Sequence, residues 1–138
     1  MVDLKILVVD DMPAMRSIVS GMLEELGCRR VLQAEDAEIA WRLVQSAHSP
    51  ALNDGRMDPF HLILSDWNMP GMSGVDLLRS LRGFAPTRKL PFLMMTAKND
   101  QDHISEALRA GVSAYIVKPF SADQLGERIS GIFSSAQS

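Results

Sequence analysis

Five short aliphatic runs, Lys5–Val9, Arg30–Ala34, Phe60–Ser65, Pro91–Thr96 and Ala114–Val117, alternate along the chain with segments of helical spacing. The runs "ILVV" and "LIL" are apolar on both faces of a strand. That suits a parallel sheet covered by helices on each side better than a half-exposed antiparallel one. After Pro13, the residues Met15, Ile18, Val19, Met22, Leu23 and Leu26 keep i, i+3, i+4, i+7 spacing until Gly27 stops them, so one face of this helix is expected to be buried. Ala37, Ala40, Trp41 and Val44 form a second stripe, and Leu77, Leu78 and Leu81 a third that ends near Gly83. Ile104, Ala107 and Leu108 before Gly111 mark a fourth. Ser121 with Gln124 is a capping-box pattern that opens a fifth helix, with Leu125, Ile129, Ile132 and Phe133 on its inner side and a terminal "SSAQS" expected to fray. The predicted fold is α/β, a doubly wound five-stranded parallel sheet with helices on both faces. Right-handed crossovers leave every strand C-terminus on one edge, and ligands in such sheets bind there, where the winding direction switches.

A chain of 138 residues with 46% hydrophobic content holds one core, and a single domain over 1–138 is expected. The polar stretch "HSPALNDGRMDP", near 48–59, exceeds the usual connection of about two to six residues. It reads as an inserted surface loop, either a tolerated insertion or a partner contact. The net charge of −3 and the lack of a basic block speak against direct nucleic-acid binding. Apolar stretches fall well short of the roughly 20 residues that cross a bilayer, and "MVDLK" carries no signal-peptide pattern. A soluble, cytoplasmic protein without membrane insertion or an attached DNA-binding or catalytic domain is expected, acting through protein contacts. Cys28 is the only cysteine and reads as a small core or edge residue.

Chemistry gathers at the strand ends. The first run leads into Asp10 and Asp11, the third into Asp66, the fourth ends in Thr96, and the fifth leads into Lys118 and Pro119. On one sheet edge these become neighbours. Carboxylates about 4 Å apart repel by about 4 kcal/mol at an effective dielectric near 20, so three together need a cation or raised pKa values. Mg2+ takes hard oxygen ligands, keeps several waters and is often held by one or two carboxylates together with a phosphate. Asp11 and Asp66 can supply the carboxylates, the backbone carbonyl of Asn68 a further ligand, and Asp10 can act through bound water. Lys118 and the Thr96 hydroxyl suit two phosphoryl oxygens. A carboxylate can itself be the nucleophile in phosphoryl transfer, and Asp66 stands where such a nucleophile belongs.

The stretches "ILVVDD", "LILSDWNMPGMSG", "MMTA" and "YIVKPF" resemble response-regulator receiver domains, in particular the single-domain CheY-like regulators of chemotaxis, over nearly the whole chain apart from the loop. The resemblance implies a flavodoxin-like, CheY-like (βα)5 fold. It implies that Asp66 accepts a phosphoryl group from a histidine kinase, that Asp10, Asp11 and Asp66 hold Mg2+, and that Thr96 and Lys118 read the phosphate. It further implies a switch of Thr96 and Tyr115, a cis Lys118–Pro119 bond, and no catalysis beyond the chain's own phosphorylation and dephosphorylation. The readout surface would be the fourth helix, fifth strand and fifth helix, with a flagellar switch protein as one downstream target. On that surface the chain departs from the chemotaxis pattern: Lys98 stands two residues beyond Thr96 in place of an acid, and Gly126, Glu127, Arg128 and Gly131 replace a lysine-rich helix. The target and the lifetime of the phosphorylated state, flanked by Lys98 and Asn68, stay open.

Four other readings compete. They are a phosphorelay intermediate, a phosphorylation-independent adaptor, a Mg2+-dependent phosphohydrolase with an aspartate nucleophile, and a flavodoxin-like cofactor carrier. Phosphatases of the haloacid-dehalogenase type place two acids one residue apart, whereas Asp10 and Asp11 are adjacent, and the flavodoxin phosphate loop is absent. His48, His61 and His103 fall on different elements without metal spacing. Trp67 is expected beside the site, partly exposed, as a fluorescent reporter of Mg2+ and phosphate.

Overall fold

The computed structural model describes residues 3–53, 55, 57–97 and 101–137. In chain order the elements are β1 (Lys5–Val9), α1 (Pro13–Glu25), β2 (Arg30–Ala34), α2 (Ala37–His48), β3 (Leu62–Asp66), α3 (Gly74–Gly83), a single 3-10 turn (Ala85–Thr87), β4 (Phe92–Thr96), α4 (Gln101–Ala110), β5 (Ala114–Val117) and α5 (Ala122–Gln137). All neighbouring strands pair in parallel, in the order β2-β1-β3-β4-β5. The chain winds from β1 out to β2, then crosses back to β3 on the other side of β1. The reversal therefore lies between β1 and β3, the strands that lead into Asp10 and Asp66.

Alternation along the strands builds two cores. Leu7, Val9, Ile63, Phe92 and Met94 face α2 and α3, where they meet Val44, Leu77, Leu78 and Leu81. Ile6, Val8, Leu64, Leu93 and Met95 face α1 and α5, against Val19, Leu23, Leu125 and Ile129. Each such side chain, fully buried, stabilises the fold by about 1.5–3 kcal/mol relative to exposure. Cys28 lies in the second core. Two strands start later than their aliphatic runs suggest. Pro91 has no N–H to give the ladder but accepts from the Ile63 N–H at 3.0 Å, and β4 begins at Phe92. The β3 ladder begins at Leu62, after Phe60 has turned inward to be 2% exposed.

Pro13 opens α1, where a missing N–H costs nothing. The helix closes on Gly27 at φ 93°, with the Cys28 N–H on Leu23 O at 2.9 Å and the Gly27 N–H on Glu24 O at 3.0 Å, a Schellman end that only glycine takes without strain. Two residues of the expected helical stripes are exposed. Ile18 is 51% exposed and Leu108 is 58% exposed. On α1 the sheet contact runs through Val19 and Leu23, and Ile18 falls on the flank of that line. On α4, Ala107 is the buried residue, because the helix lies toward the β5 edge of the sheet and has little surface beneath it. Gly126 is turned toward α1: a Cβ there would come within 2.9 Å of the Leu26 side chain, so it serves close packing of α5 on α1. At its far end α5 runs helical to Gln137. Among the described residues no helix is long and apolar enough to cross a membrane.

Candidate phosphoryl and metal site

The sheet continues by single bonds beyond its strands. The Asp10 N–H donates to Ala34 O at 3.2 Å, the Trp67 N–H to Met95 O at 3.0 Å and the Lys118 N–H to Thr96 O at 2.8 Å. These bonds fix the first residue after three strands as firmly as the strands themselves. Asp10, Asp66, Thr96 and Lys118 thereby meet at one edge, the edge at which the winding reverses.

Asp10 is fully buried, Asp66 and Thr96 are buried, and Asp11 is exposed. One oxygen from each of Asp10, Asp11 and Asp66 lies within 4.8 Å of the others. Lys118 Nζ donates to Asp66 Oδ1 at 2.9 Å and stands 3.8 Å from Asp10 Oδ2. Asp10 Oδ1 accepts the Met12 N–H at 2.9 Å. Asp10 Oδ2 and Thr96 Oγ1 are buried and have no hydrogen-bond partner among the described residues. A buried polar atom left in that state costs about 1–3 kcal/mol. Burial pushes the Asp10 carboxyl above the usual carboxylate range; the Met12 N–H opposes this, Asp66 reinforces it, Lys118 opposes it and Asp11 reinforces it.

The turn after β3 is held against the site. Gly71 takes φ 76°, and Ser73 with Asp76 forms a reciprocal capping box at the start of α3. The Gly74 N–H donates to Trp67 O at 3.1 Å, and a Cβ at Gly74 would overlap the Asp66 carbonyl oxygen. Glycine is therefore required where α3 meets the end of β3. Asn68 is exposed in this turn. The Lys118–Pro119 peptide is cis. Tyr115 pairs with Met94, two residues before Thr96, so Tyr115 and Thr96 share a sheet face on adjacent strands. Tyr115 is half-buried, with the Arg128 guanidinium 6.0 Å from its ring. Glu127, Arg128 and Gly131 are exposed on α5, and Lys98 lies outside the described residues.

Trp67 is not partly exposed as expected: it is 7% exposed and lies in the core facing α2 and α3. The ring of His103, on α4, stacks on it with centroids 4.1 Å apart and planes 17° from parallel. Strand alternation turns Trp67 to the face opposite Asp66, and α4 covers it there. His48 and His61 converge elsewhere, at the other edge of the sheet. His61 Nδ1 accepts the Lys5 N–H at 2.8 Å, and His48 Nε2 accepts the Phe60 N–H at 2.9 Å.

Two features of the site carry no motif. Arg16 on α1 donates Nη1 to Asp10 O at 2.8 Å. Beside Lys118, a groove of about 420 Å3 opens between Met15, Ile18 and Met22 of α1 and the Pro119–Phe120 segment. The one available sign of the groove was an apolar stripe on α1 wider than a single buried face requires.

The family model for the response regulator receiver domain matches residues 6–130. The chemotaxis protein CheY of Pseudomonas aeruginosa is 43% identical over 130 residues, which cover 94% of this chain and 96% of that protein. Among solved structures, the chemotaxis response regulator CheY4 of Vibrio cholerae superposes with a TM-score of 0.79 at 29% identity, covering 94% of this chain and 98% of that one. The receiver domain of the histidine kinase CKI1 from Arabidopsis thaliana, solved with Mg2+ and BeF3-, gives 0.79 at 27% identity, covering 94% and 89%. The sequence of acids, threonine and lysine, the strand order and these likenesses agree: the chain belongs to the response regulator receiver domain family.

Proposed function

We propose that this chain is the phosphoryl-accepting element of a two-component pathway of chemotaxis or motility, acting in the cytoplasm, with Asp66 as acceptor and a histidine kinase as donor. The observation that carries the reading is the Lys118 ammonium 2.9 Å from Asp66 Oδ1, inside a group of acids where buried Asp10 Oδ2 and Thr96 Oγ1 have no hydrogen-bond partner among the described residues. The donor set suits a hard divalent cation, since three carboxylates converge and one keeps a buried oxygen without a hydrogen bond among the described residues. Asp10, Asp11, Asp66 and the Asn68 backbone carbonyl would hold Mg2+, which when bound neutralises charge between the acceptor and the incoming phosphoryl oxygens.

Lys118 engages one Asp66 oxygen and leaves the other to attack phosphorus. The new O–P bond forms as the N–P bond of the donor's phosphohistidine breaks, and the imidazole leaves with the electron pair. Lys118 then pairs with one phosphoryl oxygen and the Thr96 hydroxyl donates to another. Withdrawal of Thr96 toward the phosphate makes room beside Tyr115 on the same sheet face, and the surface of α4, β5 and α5 changes for a downstream protein, of which a flagellar switch protein is one. The chain acts on its own carboxylate and on no separate substrate. The apolar groove of Met15, Ile18 and Phe120 ends at Lys118, where the donor histidine must arrive, and this supports kinase docking there.

The test is labelling with a small phosphodonor such as acetyl phosphate in Mg2+. Wild type is expected to gain a base-labile phosphoryl group and Asp66→Asn none, with both proteins equally folded by circular dichroism. Labelling of Asp66→Asn at the wild-type level would sink the assignment.

A further inference from the structure

We infer that Arg16 is a positioning residue for the divalent-ion site, acting on the peptide that joins Asp10 to Asp11. The inference rests on the Mg2+ reading above. Neighbouring residues of an extended chain point to opposite faces, so two adjacent acids converge on one ion only if the chain bends between them. It does bend: one oxygen of each lies within 4.8 Å of the other and of Asp66, although Asp10 is buried and Asp11 exposed. Arg16 acts at that bend.

The polar groups of Asp10 can be counted one by one. Its N–H donates to Ala34 O at 3.2 Å, Oδ1 accepts the Met12 N–H at 2.9 Å, and its carbonyl accepts Arg16 Nη1 at 2.8 Å. Oδ2 alone has no hydrogen-bond partner among the described residues. The guanidinium is itself braced: Nε donates to Gln33 Oε1 at 3.3 Å on β2, and Gln33 Nε2 donates to Ser20 Oγ at 3.0 Å on α1. Arg16 thus fixes the carbonyl of the peptide that joins the two acids, and with it the plane from which both carboxylates project.

The charge of Arg16 works in the other direction, because a cation near the site repels a second one. The two effects predict opposite outcomes, and a titration separates them. We expect Arg16→Met to weaken Mg2+ binding by about tenfold or more, the range found for residues that orient metal ligands. Arg16→Lys should recover part of the loss, and Gln33→Leu, which leaves Arg16 in place without its brace, should lose less. A second readout excludes a purely structural role. Loosening the peptide that carries both carboxylates should weaken Mg2+, which demands near-ideal octahedral geometry, more than Ca2+, whose shell is larger and more flexible. The Mg2+ to Ca2+ affinity ratio should therefore fall in Arg16→Met, whereas a loss of folded protein would lower apparent binding of both ions alike.

The measurements are calorimetric titrations of the purified chain with MgCl2 and CaCl2, alongside urea unfolding without metal. Unchanged or tighter Mg2+ binding in a folded Arg16→Met protein overturns the inference, as does a loss equal for both ions. Should Arg16→Met not fold, Gln33→Leu with wild-type affinity and ion ratio overturns it in the same way. Absence of saturable Mg2+ binding in wild type sinks the Mg2+ reading and this inference with it.

Discussion

The two edges of the sheet each hold a lysine among polar neighbours and treat it in opposite ways. At the N-terminal edge, Lys5 is 8% exposed, donates Nζ to Asp58 O at 2.7 Å and lies 4.5 Å from the centre of the Phe60 ring. Its main chain exchanges bonds with His61, N–H to Nδ1 and carbonyl to N–H, each at 2.8 Å. His48 takes the Phe60 N–H and stacks on that ring, while Arg30 pairs with Asp58 at 2.6 Å. At the C-terminal edge, Lys118 meets Asp66 and Asp10 beside a third acid, Asp11, and two buried oxygens have no hydrogen-bond partner among the described residues. A polar cluster that is fully bonded rigidifies a fold, and one that is not bonded is held ready for something outside the chain. Residue type does not distinguish the two lysines; the accounting of their neighbours does.

The strongest challenge to the contrast is Gly74→Ala. The added methyl overlaps the Asp66 carbonyl, so we expect a loss of about 1–3 kcal/mol in urea unfolding and slower labelling of Asp66. A variant as stable and as reactive as wild type would show that the end of β3 is not held as described. Next comes Ile18→Asp, in the groove through which the C-terminal edge opens outward. Kinase-dependent phosphorylation should slow by about tenfold, the equivalent of losing ~1.4 kcal/mol of apolar contact, with acetyl phosphate labelling unaffected. Equal slowing with both donors would move the fault to the site itself.

Asp10→Asn tests the contrast by stability alone. Burial raises the folded pKa of Asp10 above its unfolded value, so its ionisation opposes folding at neutral pH. Any stability the group contributes is present below the unfolded pKa and is lost as pH rises through the folded one. Without metal, the asparagine variant should therefore unfold at higher urea than wild type at pH 7, while binding Mg2+ more weakly. A lower midpoint would contradict the picture of a buried carboxylate whose ionisation opposes folding. The smallest effect is expected at the opposite edge. Burial, then Lys5 and His61, lower the His48 pKa. Above about pH 6.5 the group is neutral in both states; below it the unfolded chain takes up the proton first, and stability falls until the folded pKa is passed. His48→Gln keeps an acceptor for Phe60 without titrating, so its urea midpoint should depend less on pH between 7 and 5 than that of wild type.

The chain order of strands and helices, and the acids, threonine and lysine that follow them, could be read from sequence because period and punctuation are local properties. What could not be read depends on contacts between distant elements. Spacing places Ile18 with Val19, but only the line along which α1 meets the sheet decides which of the two is covered. Trp67 is buried by a histidine on α4, and nothing near Trp67 announces it. His48 and His61 stand too far apart to form a motif, and their shared role appears only when the start of β1 is placed between them. Gly126 looks like a surface change on α5 until α1 is set against it. Arg16 had no sequence signal, because its partner is a main-chain carbonyl and any residue supplies one.

The contact between Gly74 and the end of β3 also bears on how such a chain can change in length. The segment 67–73 is tied at both ends, to the Met95 carbonyl through Trp67 and to the Trp67 carbonyl through Gly74, and α3 begins directly against Asp66. An added or deleted residue there has nowhere to go except into the position of the Asp66 carboxylate. The segment after α2 lies at the far edge, away from Asp66; beside the main-chain bonds of Ser49 and His61, its described residues are held by His48 on the Phe60 N–H and by the Asn53 amide on the Ala47 and Met57 carbonyls. Insertions can therefore accumulate at one end of this sheet while the other end keeps a fixed count.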